Sequence, residues 1–160
     1  MNFRNFMWNA IQKVTGPSFE TTIWQREWNV YKALVEILGE DVPCTLGGKY
    51  TWITSPSTGM PLQIDIFYPK IQKVSGIKLA TPKALAVEVQ SSLHDGKWNK
   101  SKSFFFRTKA EFDNYTRNQE WKRSQILGRN IPFLEIDPSK DDLSSKSLRL
   151  KLSKVFGFIL

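Results

Sequence analysis

Apolar positions recur at helical spacing over residues 3–14, where Phe3, Phe6, Met7, Ala10, Ile11 and Val14 share one stripe that "TGPS" interrupts; a short docking helix is expected there. A second stripe over 20–38 carries Ile23, Val30, Tyr31, Leu34 and Leu38, with Gly39 as its stop and Glu27 as its one acidic member. "KYTWIT" and "LQIDIFY" change the period to two and predict strands over 49–54 and 62–68. In the second of these Leu62, Ile64 and Ile66 take one face, and Gln63, Asp65 and Phe67 take the other. The turn-rich stretch "KVSGIKLATPK" reads as a connection to a third strand over 84–90, "ALAVEVQ", whose faces are Leu85, Val87, Val89 against Ala84, Ala86, Glu88, Gln90.

Residues 91–107 have no clean period and read as a loop with a basic edge. Helical spacing returns over 108–128, with Thr108 as N-cap and Glu111 three residues on, completing a capping box. "NIPFLEID" gives a last strand over 131–136, ended by Pro138. In the tail, Leu148, Leu150 and Leu152 alternate like a strand, while Leu148, Leu152, Val155, Phe156 and Ile159 fit a helix, which is the preferred reading for 144–160. The order helix, helix, three strands, helix, strand, helix predicts an α/β fold with a mixed central sheet flanked by helices. No repeat or linker divides the chain, so residues 1–160 are expected to form one domain with its core over about 20–136.

Composition narrows this picture. The chain has 160 residues, 41% of them hydrophobic, enough for a packed core rather than a disordered segment. Its formal charge of +8 favours a polyanionic partner, with nucleic acid first. Cys44 is the single cysteine, which excludes an intrachain disulfide and a cysteine-pair zinc site and suits a reducing compartment. No apolar run reaches membrane-spanning length and the amino-terminal segment is too polar for a signal peptide, so the expectation is a cytoplasmic protein without a membrane partner.

The chemistry lies in two acids set in apolar strands. Asp65 in "LQIDIFY" and Glu88 in "ALAVEVQ" would face one another if their strands are neighbours. A buried, unpaired carboxylate is costly, and one shared divalent cation relieves two at once. Mg²⁺ is the natural occupant because it accepts one or two carboxylates and keeps several waters. Such an ion serves phosphodiester hydrolysis by neutralising a phosphate oxygen and acidifying a water. Gln90, on the face of Glu88, is placed to orient that water; a carboxamide does not titrate and is no base.

"IDIFYP" followed by "LAVEVQ", between a helix bearing Glu27 and a helix starting near Thr108, resembles the PD-(D/E)XK nuclease superfamily, whose core order is αβββαβ. "EVQSSLH" followed by "NYTRNQEWKRSQILGRNIPFLEI" is similar to the branch holding very-short-patch-repair endonucleases and the EDxHD homing enzymes. The resemblance implies a restriction-endonuclease-like core over about 20–136, with Asp65 and Glu88 as ligands of Mg²⁺ (Mn²⁺ as a substitute) and Gln90 at the lysine position. It implies catalytic roles for His94, as general base or phosphate contact, and for Glu27, as a ligand holding the metal through a water or as a base acting through water. Where the family shows an Asp early in the second core helix, this chain has Asn114 and Asn118, with Asp113 the nearest carboxylate.

For DNA contact, Lys97, Trp98, Lys100, Lys102, Arg107, Lys109 and Arg117 surround that site in sequence; lysines meet phosphates and Trp98 is available to stack at a base step. Lys122, Arg123 and Arg129 read as a solvated helix face, and at least one of Phe104, Phe105 and Phe106 as packing under the loop. The resulting expectation is a Mg²⁺-dependent endonuclease of phage or mobile-element type acting on double-stranded DNA as a homodimer. The alternatives are a non-catalytic nucleic-acid-binding module on the same fold and a structure-specific resolvase.

Overall fold

The computed structural model describes residues 23–90, 97–99, 102 and 106–158. Its elements are α1 (Ile23–Leu38), β1 (Thr45–Thr54), β2 (Pro61–Val74), β3 (Ile77–Val89), α2 (Lys109–Gly128), β4 (Phe133–Ile136) and α3 (Ser145–Phe156). The helix expected over 3–14 lies outside the described residues. The strands form one curled sheet in the order β1-β2-β3-β4, antiparallel through β3, with β4 parallel to β3 after the α2 crossover. This is a mixed α/β architecture with a four-stranded mixed sheet.

Two apolar layers hold the sheet. On one side Val30, Tyr31, Leu34 and Leu38 of α1 and Leu148, Leu152 and Phe156 of α3 pack on Ile66, Tyr68, Leu85, Val87 and Val89. On the other, Ile126 of α2 packs on Ile53, Ile64 and Ala86, with Tyr50, Trp52, Phe67 and Phe133 around them. Leu62 and Ile64, expected on one face with Ile66, pack in the second layer, while Ile66 packs in the first. Leu34 is fully buried, and Leu34→Ala is expected to lower unfolding stability by about 3 kcal/mol in urea titrations while unfolding stays cooperative.

The stretch expected as a turn-rich connection is strand. β2 continues to Val74 and β3 starts at Ile77, joined by a two-residue turn in which Ser75 (φ 49°) and Gly76 (φ 78°) both adopt left-handed backbone. Register shifts between Tyr68 and Ile71 and between Ile71 and Lys73 break the alternation of buried positions, and that hid the strands from the sequence pattern. The helix ends are written locally. Thr108 Oγ1 accepts from Glu111 N, Arg107 N donates to Glu111 Oε2, and Ser144 caps α3, which closes on Gly157 in left-handed backbone. No helix among the described residues is long and apolar enough to cross a membrane.

Candidate functional site

The last five residues of β3, 85–89, are covered on both faces, which explains why "LAVEV" is nearly continuous in apolar residues and why Glu88 is only 3% exposed. In the register that pairs Ile66 with Val87, one further step sets Asp65 opposite Glu88; across the other edge Glu88 is the partner of Glu135 on β4. Asp65, Glu88 and Glu135 therefore form an acidic row over three neighbouring strands, on the face covered by α2. Asp65 Oδ2 accepts a hydrogen bond from Val89 N at 2.8 Å, which fixes its carboxylate at the end of the β2–β3 ladder. Glu27, 7% exposed on α1, reaches the same point, so that Asp65 is within hydrogen-bonding range of both Glu27 and Glu88.

The positive charge in this group comes from α2. Lys122, 6% exposed, places Nζ 2.9 Å from Glu88 Oε1 and donates to Gln63 O at 2.9 Å. This corrects the expectation of a solvated face: Phe112, Tyr115, Gln119, Lys122 and Ile126 follow one another at steps of three and four, the spacing of a single helical stripe, and Phe112, Lys122 and Ile126 are buried. That spacing was the available signal for Lys122. A basic dipeptide followed by an exposed Ser124 masked it.

One ammonium does not balance Glu27, Asp65 and Glu88 together. Burial first, and the negative charge of Asp65 second, push the Glu88 carboxyl up to about 8 against the pull of Lys122. Burial and Asp65 push Glu27 up to about 8 as well. The Tyr115 hydroxyl is raised by burial and by the charges of Asp65 and Glu88, which places it beside the row. The folded chain thus holds protons on Glu27 and Glu88 that the unfolded chain releases near the ordinary value of 4.5. Their contribution to stability is greatest below about pH 4.5 and declines as pH rises toward 8, since the native state binds the extra protons. In chelator, urea titrations at pH 5.5 and 8 are expected to show this loss, and Glu27→Gln to reduce it; an unchanged slope in the variant would count against the clustering.

Beyond Glu88 the row opens into a cleft of about 100 Å³ lined by Glu88, Gln90, Gln119, Lys122, Arg123 and Glu135, among others. Gln90 Nε2 donates to Glu135 Oε2 at 3.0 Å, and Arg123 Nε stands 3.2 Å from Glu135 Oε1. One N–H of the Gln90 amide is therefore committed to Glu135, and the second N–H and Oε1 are left to meet a water. Glu135 carried no sequence signal beyond an acid in a short strand. Its place in the row comes from the parallel pairing.

Other side chains stand where the sequence resemblance expects an Asp early in α2. Asp113 is turned outward, 3.1 Å from Lys109 Nζ. Asn118 and Asn114 accept from Ser55 Oγ (2.9 Å) and Ser57 Oγ (3.3 Å), fastening α2 to the β1–β2 turn. Of the expected DNA contacts, Lys97, Arg107, Lys109 and Arg117 are exposed. Trp98 lies 5.5 Å from the Phe112 ring, half-buried. Lys102 is a correction: it is 2% exposed, with Nζ over the Phe112 ring and donating to Lys97 O, so its charge holds the loop on α2 instead of facing outward. Phe106 packs on Phe112 and Tyr115, as expected for one of the three phenylalanines. His94 and Lys100 lie outside the described residues. Among the described residues, no set of three or more His, Cys, Asp and Glu side chains is arranged to hold a metal ion. No family model, curated protein or solved structure matches the chain.

Proposed function

We propose that this protein is a metal-dependent DNA endonuclease with a core of the PD-(D/E)XK kind, the reading carried above all by Asp65 and Glu88 meeting across adjacent strands with Lys122 between sheet and helix. The element order from α1 to β4 is αβββαβ, which agrees with that core. Asp65 and Glu88 fit Mg²⁺, or Mn²⁺ in its place: they are two hard oxygen donors, and the row's excess of acid over base is what a divalent cation relieves. With no third carboxylate arranged as a ligand among the described residues, the remaining positions would fall to water and phosphate. Bound there, the ion would supply Lewis-acid polarisation of a phosphate oxygen and an acidified water.

The chain's own groups account for the rest. Glu27, which burial and the negative charge of Asp65 keep protonated up to about 8, would give up that proton where a cation offsets the charge of Asp65, and would then accept the proton of the attacking water. Lys122, 2.9 Å from Glu88, would share that carboxylate with the cation, and its ammonium would stabilise the negative charge that develops on the phosphate oxygens. Gln90 Oε1 orients a water in the cleft, while Arg123 holds Glu135 out of the way. Lys97, Arg107, Lys109 and Arg117 contact phosphates on duplex DNA. Cutting both strands by this chemistry normally takes two such sites, which favours a homodimer, whereas a strand-nicking enzyme would act alone. The deciding experiment is incubation with supercoiled plasmid in Mg²⁺ and in EDTA: nicked or linear product only with Mg²⁺ is expected, and no product at any metal concentration refutes the enzyme.

A second reading draws on the Lys122–Glu88 pair at 2.9 Å, which already neutralises the acid that would bind the cation. In a non-catalytic nucleic-acid-binding module that pair is permanent, and DNA binds without product. Comparing linear duplex, branched DNA and RNA as substrates separates a resolvase or ribonuclease from an enzyme of linear duplex.

A further inference from the structure

The four-stranded part of the sheet is short. β1 pairs β2 only as far as Thr45↔Phe67, and β4 pairs β3 only from Ala86↔Phe133 onward. Past these points β2 and β3 continue together to the Ser75–Gly76 turn, a two-stranded ribbon with no further strand beside it among the described residues. One side of the ribbon is committed to the core: Ile71, Val74 and Leu79 are buried, and Ser75 N donates to Ile37 O at 3.0 Å at the end of α1. Lys83 belongs to that side too, with Nζ 3.4 Å from Phe156 O at the carboxyl end of α3.

Lys70, Lys73 and Lys78 remain, all exposed, and among the described residues none is in an ion pair. Between Asp65 and Glu88 the sequence has four lysines and no acid. Lys73 and Lys78 are direct cross-strand partners, an arrangement of like charges that weakens a hairpin unless an anion lies over it. The ribbon shares its strands with the acidic row, so its distance from that row is set by the strand rise: from Asp65 to Lys73 is roughly 26 Å. That is about eight phosphate steps along one DNA strand.

We infer that the Lys70–Lys73–Lys78 surface of the ribbon is a second docking site that follows the phosphate backbone of the duplex flanking the cut, about eight base pairs from the scissile phosphate. The inference rests on the reading of the acidic row as a site acting on DNA. It assigns the ribbon to affinity and reach rather than to base recognition, because lysine–phosphate contacts position a duplex without reading its sequence.

The test compares wild-type protein with Lys70→Gln/Lys73→Gln/Lys78→Gln and with the triple Lys→Arg variant in EDTA, where binding is read without cleavage, on a 30-base-pair and a 10-base-pair duplex. On the longer duplex the Gln variant is expected to bind at least about tenfold more weakly, with the slope of log K against log salt reduced by about 2.7. The Arg variant keeps wild-type affinity, and on the shorter duplex all three proteins bind alike. Equal affinity and slope for wild type and Gln variant on the longer duplex overturn the ribbon site and leave the nuclease reading standing. If the wild type binds neither duplex, both fall. Loss of affinity in the Arg variant as well would show a structural effect and overturn the electrostatic one.

Discussion

Asp65→Asn is expected to lower Mg²⁺-dependent plasmid cleavage by about 10³-fold while the fold and DNA affinity persist. The amide keeps an oxygen for the Val89 N–H, so the end of the β2–β3 ladder is preserved. What disappears is the charge that faces both Glu27 and Glu88. Since Asp65 raises both neighbours, the substitution relaxes them toward ordinary carboxylate values, and metal-free protein in chelator should become more stable at pH 8 than wild type. Lower activity together with higher stability separates a site residue from one that merely supports folding. Cleavage within tenfold of wild type would refute the assignment of Asp65 as a ligand.

Lys122→Met is expected to abolish cleavage and, above about pH 8, where Glu88 is ionised, to cost about 3 kcal/mol of stability, because it leaves that carboxylate buried without its counter-charge. Methionine retains most of the stem volume, so the loss reports charge rather than a cavity. The pair is tested as a cycle: Glu88→Gln/Lys122→Met should be more stable than the sum of the two single losses predicts, by about 1–3 kcal/mol. Strictly additive losses in urea titrations would mean that the 2.9 Å contact carries no coupling, and with it the argument that Lys122 belongs to the site.

Much of the site was visible in the strands. "LQIDIFY" and "ALAVEVQ" placed single acids in runs too apolar for a solvated edge, and helical periodicity put Glu27 on the buried stripe of α1; both are local patterns that the chain writes directly. The lysine-rich ribbon of β2 and β3 was less legible, because its register shifts destroy the alternation by which a strand is recognised. Lys102 was misread because exposure was inferred from charge, whereas a long side chain can turn its ammonium onto a ring.

By itself, the sequence determined the order of elements from α1 to α3, the cap of α2, the basic character of the chain and the acids that strands or helices would bury, since these follow from composition, short-range periodicity and backbone preference. Only the tertiary structure decided which charges share one space. The parallel pairing of β3 with β4 brought Glu135 beside Glu88, and the docking of α2 on the sheet turned Lys122 inward. Contacts between residues 34 or 47 positions apart depend on strand register and helix docking, and these are set by the packing of the whole core rather than by any local stretch of chain.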